Sequence, residues 1–447
     1  MINIFGTDGV RGRANEGYIT PENAMKLAVS VMNYYDSISH RSVNNKFTVV
    51  IGKDTRLSGY MLEPALTSGF IAAGADVVLL GPIPTPAVAF MTRSLRADLG
   101  VVISASHNPY YDNGIKFFNS NGFKITEAEE IKISEIFNNC PKLISTEFMG
   151  KARRLDDAQG RYVEFVKSSF QKNLSLSGLK IVIDTANGAS YKIAPQIFWE
   201  LGAEIIQIGN EPDGLNINDS CGATHPELLQ KMVVDHNADI GIALDGDADR
   251  LIVVDEKGEI IDGDYLIAAI ATSWKIAKKL KSDNVVATIM SNIGMEKYLN
   301  SIGLNLVRTN VGDKFVIQKM VEIGANIGGE KSGHIVPIDY SSTGDGCISA
   351  IQILNFLIQE NKKASEIRNL YKPYPQIVMN IPKILDINDA KIADCINNAK
   401  NTIGNEGRII VRKSGTEPVT RVMIESEDES NLLKVSQYFS CFMEKDL

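Results

Sequence analysis

A chain of 447 residues is too long for a single hydrophobic core and divides into roughly two to four domains. Its hydrophobic fraction of 44% is ordinary for a globular protein, and its net charge of −8, from 46 basic and 54 acidic residues, excludes a general nucleic-acid or membrane-surface binder, which needs a basic face. Cys140, Cys221, Cys347, Cys395 and Cys441 are far apart and form no Cys-x-x-Cys, so neither a disulfide framework nor a zinc site is implied, and a reduced cytoplasm is the expected location.

Informative residues begin at Phe5-Gly6-Thr7-Asp8-Gly9, which leaves no room for a signal peptide ahead of them, and no apolar run reaches spanning length. The polar stretch 36–46 reads as a surface loop or helix end. Three times a helix-like segment ends in Gly and runs into an apolar strand: Gly74 before Asp76-Val-Val-Leu-Leu, Gly202 before Glu204-Ile-Ile-Gln-Ile, and Gly303 before Asn305-Leu-Val. The recurrence predicts three similar α/β domains with mostly parallel sheets, over 1–150, 151–258 and 259–370. Residues 371–447 read as strand, helix, strand, strand, helix, with strands near 377–381, 408–412 and 421–425, a smaller C-terminal α+β domain.

Each unit carries one loop with chemistry. Ser106, in Ile103-Ser-Ala-Ser-His-Asn-Pro109, follows an apolar strand and offers a hydroxyl outside its carboxyl end, where α/β folds gather ligands. Ser104 is a rival two residues upstream; an ordinary turn is the bland alternative, and no Gly-x-Ser-x-Gly elbow supports a catalytic triad. Asp245, Asp247 and Asp249, in Asp-Gly-Asp-Ala-Asp-Arg250, project three carboxylates from one tight turn, an all-oxygen set suited to Mg²⁺. An EF-hand fails, because Arg250 stands at the sixth position where Gly is needed and the flanks read as strands. In Gly328-Gly-Glu-Lys-Ser-Gly-His334 no Walker register fits, while Glu330 and Ser332 have oxygens that can bind sugar hydroxyls. Arg412-Lys-Ser-Gly-Thr-Glu-Pro418 joins two strands and has the composition of a phosphate cradle.

In these four motifs, and in their order, the chain resembles the α-D-phosphohexomutase superfamily along nearly its whole length. From Phe5–Gly12, Ser104–Lys116, Tyr374-Pro-Gln and Arg412–Pro418 it is most similar to the branch that interconverts glucosamine 6-phosphate and glucosamine 1-phosphate, which feeds UDP-N-acetylglucosamine and cell-wall synthesis. The resemblance implies four domains around a central cleft, a phosphate on Ser106, and one Mg²⁺ held by Asp245, Asp247, Asp249 and an oxygen of that phosphate. It implies a glucosamine 1,6-bisphosphate that turns around between two half-reactions. His107 or Lys116 is implied as acid/base, with Arg11 and Arg250 near the phosphoserine. Glu330, Ser332 and His334 are implied for the sugar, and Arg412, Ser414, Gly415 and Thr416 for its distal phosphate, with Arg421 on the next strand. A mobile C-terminal domain is also expected, joined near 373–375. The partner is a small sugar phosphate, with no nucleic acid or membrane, and the chain is a monomer or homodimer. That branch usually has Gln where this sequence has Lys331, whose long side chain is expected to point to solvent. A mutase for glucose or mannose phosphates and a non-catalytic sugar-phosphate sensor remain as alternative readings.

Overall fold

The computed structural model describes residues 3–6, 8–39, 46–139, 141–386, 389–404, 407–413 and 419–440. Its first sheet contains β1 (Val10–Arg13), β2 (Thr48–Lys53), β3 (Asp76–Pro82), β4 (Leu99–Ile103), β5 (Asp112–Asn119) and β6 (Ala152–Arg154), in the order β1-β5-β4-β2-β3-β6. The second has β7 (Lys180–Asp184), β8 (Glu204–Ile208), β9 (Ile240–Leu244), β10 (Leu251–Asp255) and β11 (Ile260–Ile261), in the order β11-β10-β9-β7-β8. The third orders β12 (Asn284–Thr288), β13 (Asn305–Thr309), β14 (Ile327–Gly329) and β15 (Ile335–Pro337) as β13-β12-β14-β15. A three-stranded antiparallel sheet of β16 (Gln376–Ile381), β17 (Gly407–Lys413) and β18 (Thr420–Ser426) follows, with β18 central.

One four-strand pattern recurs three times: β3-β2-β4-β5, β8-β7-β9-β10 and β13-β12-β14-β15. In each, three strands run parallel and the fourth returns antiparallel beside the third. The repeated Gly joints lie at the same step of each pattern. Gly74, Gly202 and Gly303 have φ of 91°, 106° and 72° between a helix and β3, β8 or β13, a left-handed turn that a side chain would resist. β4, β9 and β10 are buried at every position, as strands covered on both faces must be. The first sheet reaches Arg154, past the expected domain limit at 150, because β6 pairs in parallel with β3.

The repeated pattern positions the chemistry. Each functional loop is the turn between the third, parallel strand and its antiparallel neighbour: 104–111 between β4 and β5, 245–250 between β9 and β10, 330–334 between β14 and β15. In sequence, the C-terminal loop lies between β17 and β18. Helix Gly346–Gln359, capped by Asp345 through Ile348 N–H at 2.9 Å, is buried from Gly346 to Leu357 and fills the space between the second and third sheets. One apolar core therefore runs through the first three units, from Val50 and Phe118 through Ile242 to Ile351, beside smaller cores within each unit. The C-terminal unit packs around its own core of Ile381, Ala399, Val422, Ile424, Val435 and Phe439. Among the described residues, no helix is long and apolar enough to cross a membrane.

Candidate active site

Ser106 is buried, 2% exposed, with φ of 53°. Such a backbone is strained for a residue with a side chain, and here it is held from three sides. Ser104 Oγ accepts the Ser106 N–H at 2.9 Å and donates to Asp54 Oδ2 at 2.6 Å, so the upstream hydroxyl is engaged in building the loop. Arg56 donates to the carbonyls of Ser106 and Asn108 at 2.8 Å each and to that of Asp112 at 3.1 Å, also contacts Pro109 O, and pairs with Asp54 at 2.7 Å. From the second unit, Asn218 Nδ2 donates to Ser106 O at 2.9 Å. Asp54 and Arg56 belong to none of the four motifs; the signal in the sequence is a charged pair directly after the apolar run of β2.

This clamp supports a prediction. Arg56→Ala leaves Asp54 buried without its cation and strips the loop carbonyls, so unfolding by urea should show a loss of about 3 kcal/mol or more. A variant as stable as the parent protein would show that the loop holds itself.

The Ser106 hydroxyl donates to Asp245 Oδ2 at 2.6 Å. Asp245, Asp247 and Asp249 are all buried, with one carboxylate oxygen of each lying within 4.8 Å of the others. Two tight approaches make this convergence possible. A side chain at Gly246 would come within 2.6 Å of Ser106 O, and one at Gly333, where φ is +91°, within 2.2 Å of Leu251 O. Thr85 N–H binds Asp247 O at 2.9 Å, and Leu251 N–H binds Gly333 O at 2.9 Å, so loops from the first and third units hold the second.

Charge in the cluster is unbalanced. Burial and the neighbouring carboxylates Asp249 and Asp247 push Asp245 well above its usual range. Burial, with Asp247 close by, also raises Asp249. Asp247 goes the other way: burial opposes ionisation, but Lys116 at 2.9 Å and the Thr85 hydroxyl at 2.6 Å outweigh it. Lys116, 1% exposed, also lies 3.2 Å from Asp8 and 3.8 Å from Asp249, and these carboxylates overcome burial to hold it as an ammonium. Asp247 Oδ1 and Asp249 Oδ1 are buried with no hydrogen-bond partner. Orphaned carboxylate oxygens beside an incompletely neutralised all-oxygen set fit a hard divalent cation.

His107 Nδ1 lies 3.3 Å from Ser106 Oγ, and burial together with Arg250 and Arg11 depresses its pKa to about 3, so the ring is neutral. Arg11 pairs with Asp8 and acts electrostatically on Asp247 and Asp249. Arg250 N–H donates to Asp245 Oδ1 at 3.1 Å, and its backbone bridges to that of His334. His334 is buried, 3.8 Å from Asp249 and 3.5 Å from Asp313. Lys124 joins Asp8 of the first unit to Asp313 of the third, an interdomain bridge that no sequence motif announced.

Of the expected sugar ligands, Glu330 is partly buried and accepts Gly312 N–H at 3.1 Å, whereas Ser332 is exposed. Lys331 departs from the solvent-facing expectation: it is half-exposed, but its ammonium bonds Gln376 Oε1 at 2.8 Å, because a carbonyl of the C-terminal unit lies within its reach. Arg412 and Arg421 are directly paired across β17 and β18, on the same side of the sheet. Burial and Arg421 lower the Arg412 pKa, and Glu330 is close enough to oppose the shift. Two guanidiniums placed opposite one another repel, an arrangement that an anion between them relieves. Ser414, Gly415 and Thr416 lie outside the described residues.

Comparison with known proteins agrees with this geometry. The phosphoglucomutase/phosphomannomutase family matches in four parts: alpha/beta/alpha domain I over residues 3–142, domain II over 160–258, domain III over 262–374 and the C-terminal domain over 354–439. A phosphoglucosamine mutase of Parvibaculum lavamentivorans is 51% identical over 435 residues, covering 96% of each chain. One of Zymomonas mobilis is 51% identical over 426 residues, covering 95% of each. Among solved structures, a phosphoglucomutase/phosphomannomutase family protein of Burkholderia thailandensis superimposes with a TM-score of 0.82 at 24% identity, over 99% of this chain and 97% of that one. The chain belongs to the phosphoglucomutase/phosphomannomutase family of α-D-phosphohexomutases, alongside the phosphoglucosamine mutases.

Proposed function

We propose that the protein interconverts glucosamine 6-phosphate and glucosamine 1-phosphate through a phosphorylated Ser106 and glucosamine 1,6-bisphosphate. The observation that carries the phosphoryl-transfer reading is the Ser106 hydroxyl 2.6 Å from Asp245, within a buried cluster of three carboxylates. The choice of glucosamine rests on relatives of that name at 51% identity. Asp245, Asp247 and Asp249 are the residues that would hold Mg²⁺, which when bound supplies positive charge against the transferring phosphoryl group.

In the first half-reaction Ser106 gives up its phosphoryl group: the Oγ–P bond breaks as the free sugar hydroxyl forms a new O–P bond and loses its proton. In the second, Ser106 takes a phosphoryl group from the other sugar oxygen, which regains a proton. His107, neutral and 3.3 Å from Oγ, can accept a hydrogen bond there, and in this reading it is the acid/base candidate nearest the reacting oxygen. Lys116, an ammonium among Asp247, Asp8 and Asp249, offsets negative charge. Arg412 and Arg421 bind whichever phosphate is not reacting, which is why the same pair serves both sugar orientations. Arg412→Ala should therefore raise KM for the sugar phosphate by about ten- to a hundredfold with a smaller fall in kcat. An unchanged KM would remove Arg412 from the cradle.

The decisive experiment is a side-by-side turnover assay on glucosamine, N-acetylglucosamine, glucose and mannose 6-phosphates, with phosphopeptide mapping of Ser106. The highest kcat/KM is expected for glucosamine 6-phosphate. Preference for glucose or mannose overturns the sugar assignment; no turnover of any, with Ser106 unmodified, favours a sugar-phosphate sensor.

A further inference from the structure

The bond from Lys331 to Gln376 is one end of a polar row that seats the C-terminal unit. Gln376 on β16 pairs in register with Glu425 on β18, and Glu425 with Arg408 on β17, so the three side chains lie side by side across one face. They are bonded in sequence: Gln376 Nε2 to Glu425 Oε1 at 3.0 Å, and Arg408 Nε to Glu425 Oε2 at 2.5 Å. The row docks on the segment that follows β12. Arg408 donates to Ile289 O at 2.8 Å and to Ser291 O, and Ile293 N–H donates to Glu425 Oε1 at 2.9 Å. Glu425 is fully buried. Lys331, also 3.8 Å from Asp262, is where the sugar loop joins this row.

Arg412 and Arg421 lie four residues along β17 and β18 from Arg408 and Glu425, hence on the same face of the same rigid sheet. A shift of the row at one end must move the guanidinium pair at the other. The C-terminal unit has a core separate from that of the first three units and is reached through a segment without regular secondary structure, 371–375. Its seat can therefore loosen by exchanging polar bonds without opening an apolar core.

Building on the proposed function, we infer that Lys331 is a positioning residue: through Gln376 it sets the distance between the sugar-binding loop and the paired arginines, and so how firmly the cleft holds a sugar phosphate. A glutamine at this position would be one bond shorter and uncharged, so it would bring neither the lysine's reach nor its charge to Gln376.

The test is a double-mutant cycle with Lys331→Met, Gln376→Met and both together, plus Lys331→Arg, which keeps the charge and the reach. Each single Met variant should raise KM for glucosamine 6-phosphate about five- to tenfold with little change in kcat, the double should be no worse than either single, and Lys331→Arg should stay close to the parent. Hydrogen exchange of the free protein should quicken at 289–293 and 376–381 in both single Met variants. Additive effects on KM, or unchanged exchange, overturn the inference. So does a change in the glucosamine-to-glucose preference from Lys331→Met that persists in the Gln376→Met background, because Lys331 would then touch the sugar itself. If the parent protein does not turn over glucosamine 6-phosphate, the functional reading fails, while the exchange comparison still decides the role of Lys331.

Discussion

Ser106→Ala is expected to fold as the parent protein does and to lose mutase activity by about three orders of magnitude or more. The deleted oxygen makes its closest bond to Asp245, a partner that burial and its neighbours already push toward the neutral form, so its loss leaves little unpaired charge. Ser104→Ala should behave differently. That hydroxyl holds the Ser106 N–H and bonds Asp54, so its removal should cost about 1–2 kcal/mol of stability and slow turnover about tenfold by loosening the loop. Phosphopeptide mapping and urea unfolding of the two variants separate the roles. Phosphate on residue 104 in the parent protein, or near-full activity of Ser106→Ala, would reverse them.

Asp247→Asn should abolish Mg²⁺-dependent turnover, by about a thousandfold or more, and excess chelator should do the same to the parent protein. A complete truncation at this position is a poorer probe. Asp247 is the closest carboxylate to the buried Lys116 and also accepts the Thr85 hydroxyl, so alanine would break a buried ion pair as well as the metal site, at about 3–5 kcal/mol. The amide keeps an acceptor for Lys116 and isolates the metal. Isothermal titration of Mg²⁺ into parent and variant gives a readout independent of turnover: binding should be lost in Asp247→Asn. Full activity in chelator, or unchanged Mg²⁺ affinity, removes the three carboxylates from the mechanism.

Local chemistry alone determined much of this protein. Gly74, Gly202 and Gly303 punctuated the helix-to-strand joints because only a residue without a side chain turns easily through φ of 91°, 106° or 72°. The apolar runs that became β4 and β9 and the polar turns after them marked two of the functional loops, since buried strands must be hydrophobic and the ends that meet ligands must not. The succession of strand, helix, strand, strand and helix along the C-terminal unit was also legible, from the apolar runs around Ile377, Ile409 and Ile424. Tertiary structure alone decided which groups from distant segments share a charge. Asp8, Lys116 and Lys124 of the first unit meet Asp247 of the second and Asp313 of the third across separations that no local pattern encodes. It likewise separated two nearby serines into loop builder and hydroxyl at the carboxylates, a choice made by Asp54 and Arg56 from the loop that follows β2. Lys331 is the clearest case. In sequence it is one exposed cation in a sugar loop, and only the approach of β16 brings the Gln376 carbonyl within 2.8 Å, because a side chain's partner is set by the packing of sheets and not by its own neighbours along the chain.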